Sequence, residues 1–279
     1  MDLELSGRRA FVTGASRGIG LAIARGLALE GATVSIFARH PDGLRSAVVE
    51  LSRDGLTAHP YAGDVTDSAA LEEAIARSAT EQGGLDVMVA NAGGVQGGGL
   101  QTSTAADWAY TMGINVVHAA TAIRAGLPWL SVSGEGAAPV IGSICGLKPR
   151  ANSSYSVAKA AEIHLAPSLA VELAKEKVRV NTLSPGAVMF DGGRWAGTRA
   201  VDPEAHDRFV ADNAPTGRFV RLEEVADAAC FPGQPSGFGD QRSARRGRRR
   251  PGPADGPPGL SVKDAASAAG SSPILATCS

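Results

Sequence analysis

Short apolar runs alternate with longer segments of helical periodicity from Arg9 to Ser184, and this alternation constrains the fold more than any other feature of the chain. The runs are bounded by Gly, Pro or Asp and are apolar on both faces, which is typical of buried parallel strands. Parallel strands that are regularly separated by helices predict an α/β fold with a Rossmann-type doubly wound sheet and helices on both faces. The predicted strands are Arg9–Thr13, Thr33–Ala38, Thr57–Tyr61, Asp86–Ala90, Pro139–Ser143 and Arg179–Ser184, and the predicted helices are Gly18–Glu30, Asp42–Arg53, Ser68–Glu81, Thr104–Leu130 and Ser154–Glu176.

Three segments depart from this regular pattern. Gly113 predicts a break in the fourth helix, and Pro167 predicts a kink in the fifth because its ring removes one backbone hydrogen bond. The segment Met189–Pro215 is polar, Gly-rich and without periodicity, so we expect a long mobile loop over the site. Its aromatic residues Trp195 and Phe209 either face the substrate or anchor that loop.

The overall composition excludes several classes of protein. With 44% hydrophobic and 20% charged residues among 279, the chain is not a collagen, a coiled coil or a wholly disordered protein. Its three cysteines are too few for a disulfide framework, so a reducing compartment is the default. The N-terminus has no basic segment ahead of an apolar core, and no apolar run reaches membrane-spanning length. We therefore expect a cytoplasmic protein without a membrane partner.

The formal net charge of −1 hides a change of composition at Pro232. The 48 residues from there to Ser279 hold seven Lys or Arg against three Asp or Glu, together with seven Pro and eight Gly. Such a segment buries too little apolar surface to offset the entropy lost on ordering. We therefore predict a folded domain over residues 1–231 and a disordered tail over residues 232–279.

A glycine-rich turn joins the first predicted strand to the first predicted helix. Gly14 permits a tight turn, Gly18 lets the backbone approach a pyrophosphate, and Gly20 allows the helix to pack closely on the strand. The N-terminus of the helix also attracts phosphate groups. In the first strand–helix unit of an alternating chain, this spacing predicts a dinucleotide site. The other predicted contacts in the turn are Ser16, Arg17 and Ile19.

The residues that follow the second strand favour the phosphorylated form of the cofactor. A site for NAD usually carries an acidic residue there to bind the ribose 2′-hydroxyl, and this chain has Arg39 and His40 instead. Arg39 and Arg17 are suited to clamp a 2′-phosphate with paired hydrogen bonds, although solvated surface arginines are the alternative interpretation. We therefore predict NADPH as the cofactor.

Tyr155 and Lys159 are four residues apart and hence on one face of a predicted helix. A free phenol, with a pKa of about 10, is a poor acid near neutrality, and we expect the Lys159 ammonium to lower that pKa. A lone Tyr–Lys pair is an ordinary surface feature, so its weight depends on its neighbours. Ser143 ends a buried strand twelve residues upstream, and Asn115 lies in the preceding helix.

In order and spacing, these residues resemble the short-chain dehydrogenase/reductase family, in the compact single-domain branch that includes 3-oxoacyl carrier-protein reductases and ketoreductases. The match starts at the glycine turn, passes through Asn115, Ser143, Tyr155 and Lys159, and covers most of residues 5–231. Its other motifs are Asp64-Val65, Asn91-Ala92-Gly93, Asn181, Ser184-Pro185-Gly186, Gly217-Arg218-Phe219 and Glu224-Val225-Ala226.

The resemblance implies reversible hydride transfer between NADPH and a ketone, running towards the alcohol. Tyr155 would protonate the carbonyl oxygen, Ser143 would donate a hydrogen bond to it, and Lys159 would also hold the nicotinamide ribose. Asn115 would anchor a water that links Lys159 to solvent. The implied cofactor contacts are Asp64 and Val65 at the adenine, Asn91, Ala92 and Gly93 beside the cofactor, and Pro185, Gly186 and Val188 at the nicotinamide.

Phe190 departs from the family pattern, which often has a Thr there in contact with the nicotinamide amide, so that contact is in doubt. His164 is interpreted as a packed or surface residue, and Cys145 has only Lys148 nearby to activate its thiol. Two other functions stay open: an oxidative alcohol, sugar or steroid dehydrogenase, and a scaffold that binds the cofactor without turnover. We expect a small carbonyl substrate, free or carrier-bound, a homo-oligomer (dimer or tetramer) when the C-terminus is intact, no metal and no nucleic acid.

The resemblance stops at Phe231, where the family continues into a last strand ending Val-Asp-Gly-Gly. Arg and Gly codons have G in the middle position, so the Arg-Gly run at 245–249, read one base later, gives five codons that begin with G. With allowed codons from Pro232 onward, the displaced frame reads LASPAGSVTSARRVVDGG, which is the missing ending. We therefore hypothesise a single-base frameshift near codon 232 that removes the last strand. The alternative is a genuine basic patch for nucleic acid or another anionic surface, and the gene's nucleotide sequence decides between them.

Overall fold

The computed structural model describes residues 3–148, 151–214 and 216–233. Its strands are β1 (Arg9–Thr13), β2 (Thr33–Ala38), β3 (Ala58–Ala62), β4 (Val87–Val89), β5 (Ala137–Ile141) and β6 (Arg179–Leu183). Every pair of neighbours is parallel, and the order across the sheet is β3-β2-β1-β4-β5-β6. This is the order of a doubly wound Rossmann sheet, in which ligands bind at the carboxyl ends of the strands. The predicted fold class is confirmed.

Helices cover both faces of this sheet. The helices within the described residues are α1 (Gly18–Leu29), α2 (Pro41–Arg53), α3 (Ser68–Glu81), α4 (Ala105–Met112), α5 (His118–Ser133), α6 (Ser153–Glu172), α7 (Arg194–Val201), α8 (Pro203–Asn213) and α9 (Leu222–Gly233). Side chains of α1, α2 and α9 pack on one face with Val12 and Ile36, and those of α3, α5 and α6 pack on the other with Phe11 and Phe37. Successive strand residues thus enter different cores, as the pleat requires.

The helical region around Asn115 is continuous rather than broken. Between α4 and α5 the backbone winds as a π-helix over Gly113–Val117, which inserts one wider turn without ending the helix. The predicted break is therefore wrong, because the helix continues, but an irregular turn does begin at the predicted residue, Gly113. Asn115 lies inside the wider turn and is completely buried. The helix α6 likewise contains Pro167 and continues to Glu172.

The expectation of a mobile loop over Met189–Pro215 is wrong, because most of this segment forms α7 and α8. Asp202 caps α8 by accepting a hydrogen bond from the Ala205 N–H at 2.9 Å, and Pro203 occupies the first turn. The Trp195 and Phe209 rings lie with centroids 3.8 Å apart in a tilted arrangement, and both contact Phe219. Of the two interpretations of these aromatic residues, the anchoring one agrees with the contacts.

The predicted tail from Pro232 to Ser279 lies outside the described residues, apart from the backbone of the last two residues of α9. The predicted loss of the last strand and the disorder of the tail concern that region and stay predictions. The helix α9 is itself firmly packed, since a Cβ at Gly26 of α1 would lie 3.1 Å from the Cys230 Sγ. In the part of the chain that the structure describes, no helix is both long and apolar enough to span a membrane.

Candidate active site

A cleft of about 590 Å³ lies at the carboxyl ends of β1, β2, β4 and β5. It brings the glycine turn and the Tyr155–Lys159 pair into one cavity although they are far apart in the sequence. The predicted site residues that line it are Gly14, Ser16, Arg17, Ile19, Gly20, Arg39, Val65, Asn91, Ala92, Gly93, Tyr155 and Lys159. The structure adds residues that were not predicted, chiefly His40, Gly43, Gly63, Gly94, Ile114 and Gly142. The glycine turn, Arg39 and the Tyr155–Lys159 pair therefore share one continuous space, whereas Gly18, Asn115 and Ser143 do not line it within the described residues.

The glycine turn leaves no room for side chains. Gly14 has a φ of +67° and Gly18 a φ of +57°, a conformation that favours glycine. A Cβ at Gly14 would lie 2.9 Å from the Ala92 Cα, and one at Gly20 would lie 2.4 Å from the Asn91 Nδ2. The Asn91 amide also donates hydrogen bonds to the Thr13 and Gly14 carbonyls, at 2.9 and 3.2 Å, which fixes the turn. This backbone cradle at the start of α1 fits a dinucleotide pyrophosphate.

Cationic side chains surround the far end of the cleft, where the adenosine ribose of a dinucleotide would lie. Arg17 and Arg39 both line the cleft, and both side chains are exposed. The Arg17 Nη1 donates a hydrogen bond to the Gly192 carbonyl at 2.8 Å. Burial alone would raise the pKa of the Asp64 carboxyl, but hydrogen bonds from Thr66 and the charge of Arg39 lower it overall. Asp64 itself does not line the cleft among the described residues, whereas its neighbour Val65 does.

Tyr155 lies in the first turn of α6, directly after a helix cap. The Asn152 side chain accepts a hydrogen bond from the Tyr155 N–H at 3.4 Å, with Asn152 itself in the left-handed conformation. The Tyr155 hydroxyl is hydrogen-bonded to the Ser143 side chain, and the Ser143 Oγ also accepts from the Cys145 N–H at 3.1 Å. Ser143, just beyond β5, thus orients the phenol.

The pKa of Tyr155 is raised rather than lowered, contrary to the expectation. Burial raises the pKa of Tyr155 to about 12, against a smaller lowering by the Ser143 hydrogen bond. The Lys159 Nζ is 5.9 Å from the centre of the Tyr155 ring, and it donates a hydrogen bond to the Ile141 carbonyl at 3.0 Å. Its charge is balanced by Glu162, whose Oε2 lies 2.8 Å away. The phenol is therefore held protonated near neutral pH.

Sequence reasoning did not identify Glu162. The residue lies three positions after Lys159 in α6 and is 1% exposed, so it is a buried acidic group directly behind the predicted site. Burial raises the pKa of its carboxyl although the nearby ammonium opposes that rise. The available signal was the spacing of Tyr155, Lys159 and Glu162, which places all three on one helical face.

Asn115 connects the helical π-turn to the loop after β4. Its Nδ2 donates hydrogen bonds to the Gly94 and Thr111 carbonyls at 2.7 and 2.6 Å, and its Oδ1 accepts from the Gly94 N–H at 3.3 Å. A Cβ at Gly93 would lie 2.8 Å from the Asn115 Oδ1 and 3.0 Å from the Lys159 Nζ. Asn115 therefore supports the floor of the cleft beside Lys159.

A buried histidine behind Asn115 is a second residue that the sequence did not reveal. The His118 Nδ1 lies 3.0 Å from the Asn115 carbonyl oxygen, and its Nε2 lies 3.0 Å from the Thr13 Oγ1. Burial lowers the pKa of His118 to about 4, so the ring is neutral. Since a carbonyl only accepts, Nδ1 carries the proton and Nε2 accepts from Thr13. The Thr13 Oγ1 in turn accepts from the Asn91 and Ala92 N–H groups, which ties β1 to β4.

The remaining predicted residues lie after β6. The Pro185 carbonyl accepts a hydrogen bond from the Ile144 N–H at 3.0 Å, and Val188 forms an isolated parallel bridge with Val220. Gly186 packs against Val220, and none of the three lines the cleft within the described residues. Phe190 does line it, and its ring would be 2.6 Å from a Cβ at Gly18. The aromatic ring therefore lies over the glycine turn.

The geometry defines a class of protein before any comparison is made. A phosphate cradle, a protonated phenol and a buried ammonium line one cleft, and the Ser143 hydroxyl is hydrogen-bonded to that phenol, as hydride transfer coupled to proton transfer requires. Among the described residues, no group of three His, Cys, Asp or Glu side chains is placed to hold a metal ion. The site is that of a nicotinamide-dependent oxidoreductase.

Comparison with known proteins agrees with this class. The family model for short chain dehydrogenases matches residues 8–194, and the chain belongs to the short-chain dehydrogenase/reductase family. It is 38% identical over 230 residues to cis-4-hydroxycyclohexanecarboxylate dehydrogenase of Sinomonas cyclohexanicum, which covers 80% of this chain and 88% of that protein.

Two solved structures share the fold over most of their length. A 3-oxoacyl (acyl-carrier-protein) reductase of Agrobacterium tumefaciens with NADP bound has a TM-score of 0.78 and 35% identity, covering 84% of this chain and 90% of that one. The L-sorbose reductase of Gluconobacter frateurii, complexed with NADPH and L-sorbose, has a TM-score of 0.79 and 30% identity, covering 86% and 95%. The chain is an oxidoreductase that acts on CH–OH groups with a nicotinamide cofactor.

Proposed function

We propose that this protein uses NADPH to reduce a ketone to a secondary alcohol, with Tyr155 as the proton donor. The observation that carries the proposal is the state of Tyr155: a half-buried phenol that lines the cleft, has its pKa raised to about 12 and is hydrogen-bonded to Ser143. Such a group is a reservoir of one proton at neutral pH rather than a base. Oxidation of an alcohol, the runner-up reaction, starts from the phenolate and is expected only at alkaline pH.

The residues of the cleft have complementary roles in this reaction. The reduced nicotinamide, when bound, supplies a hydride to the carbonyl carbon. Tyr155 gives its proton to the carbonyl oxygen, and the Ser143 hydroxyl donates a hydrogen bond to the charge that develops there. Lys159 holds the nicotinamide ribose and, with Asn115, the water through which Tyr155 regains a proton from solvent.

Further residues are proposed to hold the cofactor. The glycine turn with Ser16 and Ile19 takes the pyrophosphate, and Asp64 with Val65 borders the adenine. Asn91, Ala92 and Gly93 would lie beside the cofactor, and Pro185, Gly186 and Val188 would border the nicotinamide.

The preference for NADPH is proposed from charge. Arg17 and Arg39 line the end of the cleft that would receive the adenosine ribose, and the residues directly after β2 are Arg39 and His40 rather than an acid that could bind a free 2′-hydroxyl. The solved relatives named above contain NADP and NADPH. Arg17 and Arg39 would pair with the 2′-phosphate through their guanidinium groups.

The experiment is a substrate screen that follows NADPH consumption. Acyl thioester ketones, quinones and simple ketones are offered at neutral pH to the purified full chain, and NADH is offered in parallel. Turnover of at least one ketone with NADPH, and much slower turnover with NADH, is the expected result. Cofactor binding without turnover of any ketone or alcohol would favour the scaffold alternative, although a scaffold needs none of the proton-donating residues.

A further inference from the structure

A carboxylate is buried behind the Tyr155–Lys159 pair, and the reaction proposed above does not use it. The Glu162 Oε2 lies 2.8 Å from the Lys159 Nζ, and the two side chains are 1% and 4% exposed. Tyr155 and Lys159 line the cleft, whereas Glu162 does not and is buried. The three residues stand at i, i+4 and i+7, so they share one helical face.

A carboxylate at this position requires an explanation beyond packing. Removing it from water costs several kcal/mol, and a buried ion pair is often no more stable than apolar residues of the same volume. The adjacent helical positions that face the core are apolar, such as Ala158 and Ala166, which are 0% and 1% exposed. An apolar residue at 162 would therefore suffice to fill the space, and the charge itself is the feature to explain.

We propose that Glu162 is a positioning residue that balances the charge of Lys159, so that Tyr155 keeps its proton and the site favours proton donation to a carbonyl over proton removal from an alcohol. The inference deepens the proposed function and rests on it for the direction of the reaction. The charge balance itself is independent of turnover.

The electrostatic reason lies in the geometry of the ammonium group. Lys159 has three N–H donors: one is donated to the Ile141 carbonyl at 3.0 Å, and the Glu162 Oε2 lies 2.8 Å from the Nζ as its ion-pair partner. A lone cation beneath Tyr155 would stabilise the phenolate, but a cation paired at 2.8 Å acts as a dipole whose field falls off faster with distance. Lys159 therefore stabilises the Tyr155 phenolate less than a lone cation would. The negative charge of Glu162 also raises the pKa of the Tyr155 phenol directly.

Other ionisable groups around Tyr155 and Lys159 come from every neighbouring element. Cys145, from the turn after β5, raises the pKa of Tyr155, and Arg194 of α7 lowers it. His118 of α5 is neutral and is itself influenced by Lys159. Tyr110 of α4 packs against the core. The charges that act on Arg179 of β6 are those of Glu135 and Arg8, at the other end of the sheet. Glu162 is the carboxylate paired with Lys159 within the described residues.

The test is a direct titration of Tyr155 in the full chain without cofactor. Phenolate absorbance is measured against pH for the parent protein and for Glu162→Gln, and in each case the spectrum of the matching Tyr155→Phe protein is subtracted. The amide oxygen of the variant still accepts a hydrogen bond from Lys159, so the ammonium is retained while the negative charge is removed. Glu172→Gln, an exposed position on the same helix, is the matched control.

We expect Glu162→Gln to lower the pKa of Tyr155 by about one unit, which is about a tenfold rise in the phenolate fraction at pH 9. The acid limb of kcat/KM for alcohol oxidation moves to lower pH by the same amount, while the Kd for NADPH stays unchanged. Glu172→Gln behaves as the parent protein does.

An unchanged or raised pKa of Tyr155 in a Glu162→Gln protein that binds NADPH normally would overturn the proposal, because Glu162 would then merely keep Lys159 charged or fill space. Glu162→Leu provides a second variant should the glutamine protein fail to fold, with the same expected direction. A shifted titration together with no turnover of any ketone in the parent protein would refute the proposed function and leave the charge balance standing.

Discussion

Two ion pairs that each contain a buried carboxylate lie at opposite ends of the same sheet, and they differ in how completely their charges are satisfied. At the amino ends of β1 and β4, Asp86 accepts hydrogen bonds from the Arg9 N–H, Nε and Nη2 at 2.9, 2.7 and 2.9 Å. At the carboxyl ends, the Glu162 Oε2 lies 2.8 Å from the Lys159 Nζ, and within the described residues that oxygen has no well-aligned hydrogen-bond donor. The pKa of the first carboxyl is lowered by its Arg9 partners in spite of burial, and the pKa of the second is raised by burial.

The difference shows that the Asp86 charge stabilises the fold, whereas the Glu162 charge acts on a neighbouring group of the site. A carboxylate with several strong donors lies in a deep energy minimum and joins two strands, so its charge contributes to stability. A carboxylate with one partner is held in a costly state, and that cost is tolerated where it tunes a neighbouring group. The cleft lies at the carboxyl ends, where the sheet also presents Tyr155 and Lys159.

The largest expected effect is at the carboxyl end. Tyr155→Phe removes the proton donor, and we expect the rate of ketone reduction to fall by about 10²–10⁴-fold. The Kd for NADPH and the melting temperature should stay close to those of the parent protein, because the lost Ser143 hydrogen bond is worth only about 1 kcal/mol. Tyr110→Phe is the control, since that phenol does not line the cleft. Retained turnover in Tyr155→Phe would mean that a group other than Tyr155 donates the proton.

The opposite pattern is expected at the amino end. Asp86→Ala leaves Arg9 without its partner and removes three hydrogen bonds, so the free energy of unfolding should fall by on the order of 3 kcal/mol. Activity per folded molecule and the titration of Tyr155 should not change. Asp42→Ala breaks an exposed ion pair with Arg45 and should cost below about 1 kcal/mol. Urea unfolding monitored by circular dichroism measures the free energy of unfolding of both variants. Equal losses of that free energy for Asp86→Ala and Asp42→Ala would contradict a special structural role for the Asp86 charge.

A third cation extends the comparison to the cofactor. Arg39→Ala should raise the Kd for NADPH by about 10–100-fold, because charge-assisted hydrogen bonds to a phosphate contribute roughly 1.5–3 kcal/mol. The Kd for NADH should change little, and Arg53→Ala, an exposed arginine in the last turn of α2, serves as control. Fluorescence titration with each cofactor gives the numbers. A parallel loss for both cofactors would place Arg39 elsewhere than at the 2′-phosphate.

The sequence predicted those parts of the site that depend on backbone or on local spacing. Gly14 and Gly20 could be identified because their positions admit no side chain, and Tyr155 with Lys159 because four residues make one helical turn. The two helices within Met189–Pro215 were missed because their stability comes from ring contacts between Trp195, Phe209 and Phe219, which are distant in the chain.

The residues behind the site were missed for a related reason. His118 and Glu162 look like ordinary helical polar residues, and only the packing shows that one is neutral and the other is paired with Lys159. The expectation of a lowered pKa for Tyr155 was wrong for the same reason, because it depended on packing that the sequence does not show. A sequence shows that a cation is four residues away, but not that a buried carboxylate balances it and that burial outweighs both.

The smallest expected effect distinguishes the two carboxyls by the sign of their pH dependence. The pKa of Asp86 is lowered in the folded state, so its stabilising contribution is complete above the unfolded value of about 4 and is lost as pH falls through the folded pKa. The pKa of Glu162 is raised, so above the unfolded value of about 4.3 the folded protein binds more protons, and stability falls as pH rises through that window.

The slopes are at most about 1.4 kcal/mol per pH unit for one proton. Urea unfolding of the parent protein, Asp86→Asn and Glu162→Gln is measured from acidic to neutral pH. Asp86→Asn should flatten the loss in acid, and Glu162→Gln should flatten the fall above pH 4.3. A carboxyl with a lowered pKa and one with a raised pKa must give slopes of unfolding free energy against pH that differ in sign. Slopes of the same sign for both residues would show that the Lys159 ammonium outweighs burial at Glu162. The Glu162 charge would then stabilise the fold as the Asp86 charge does.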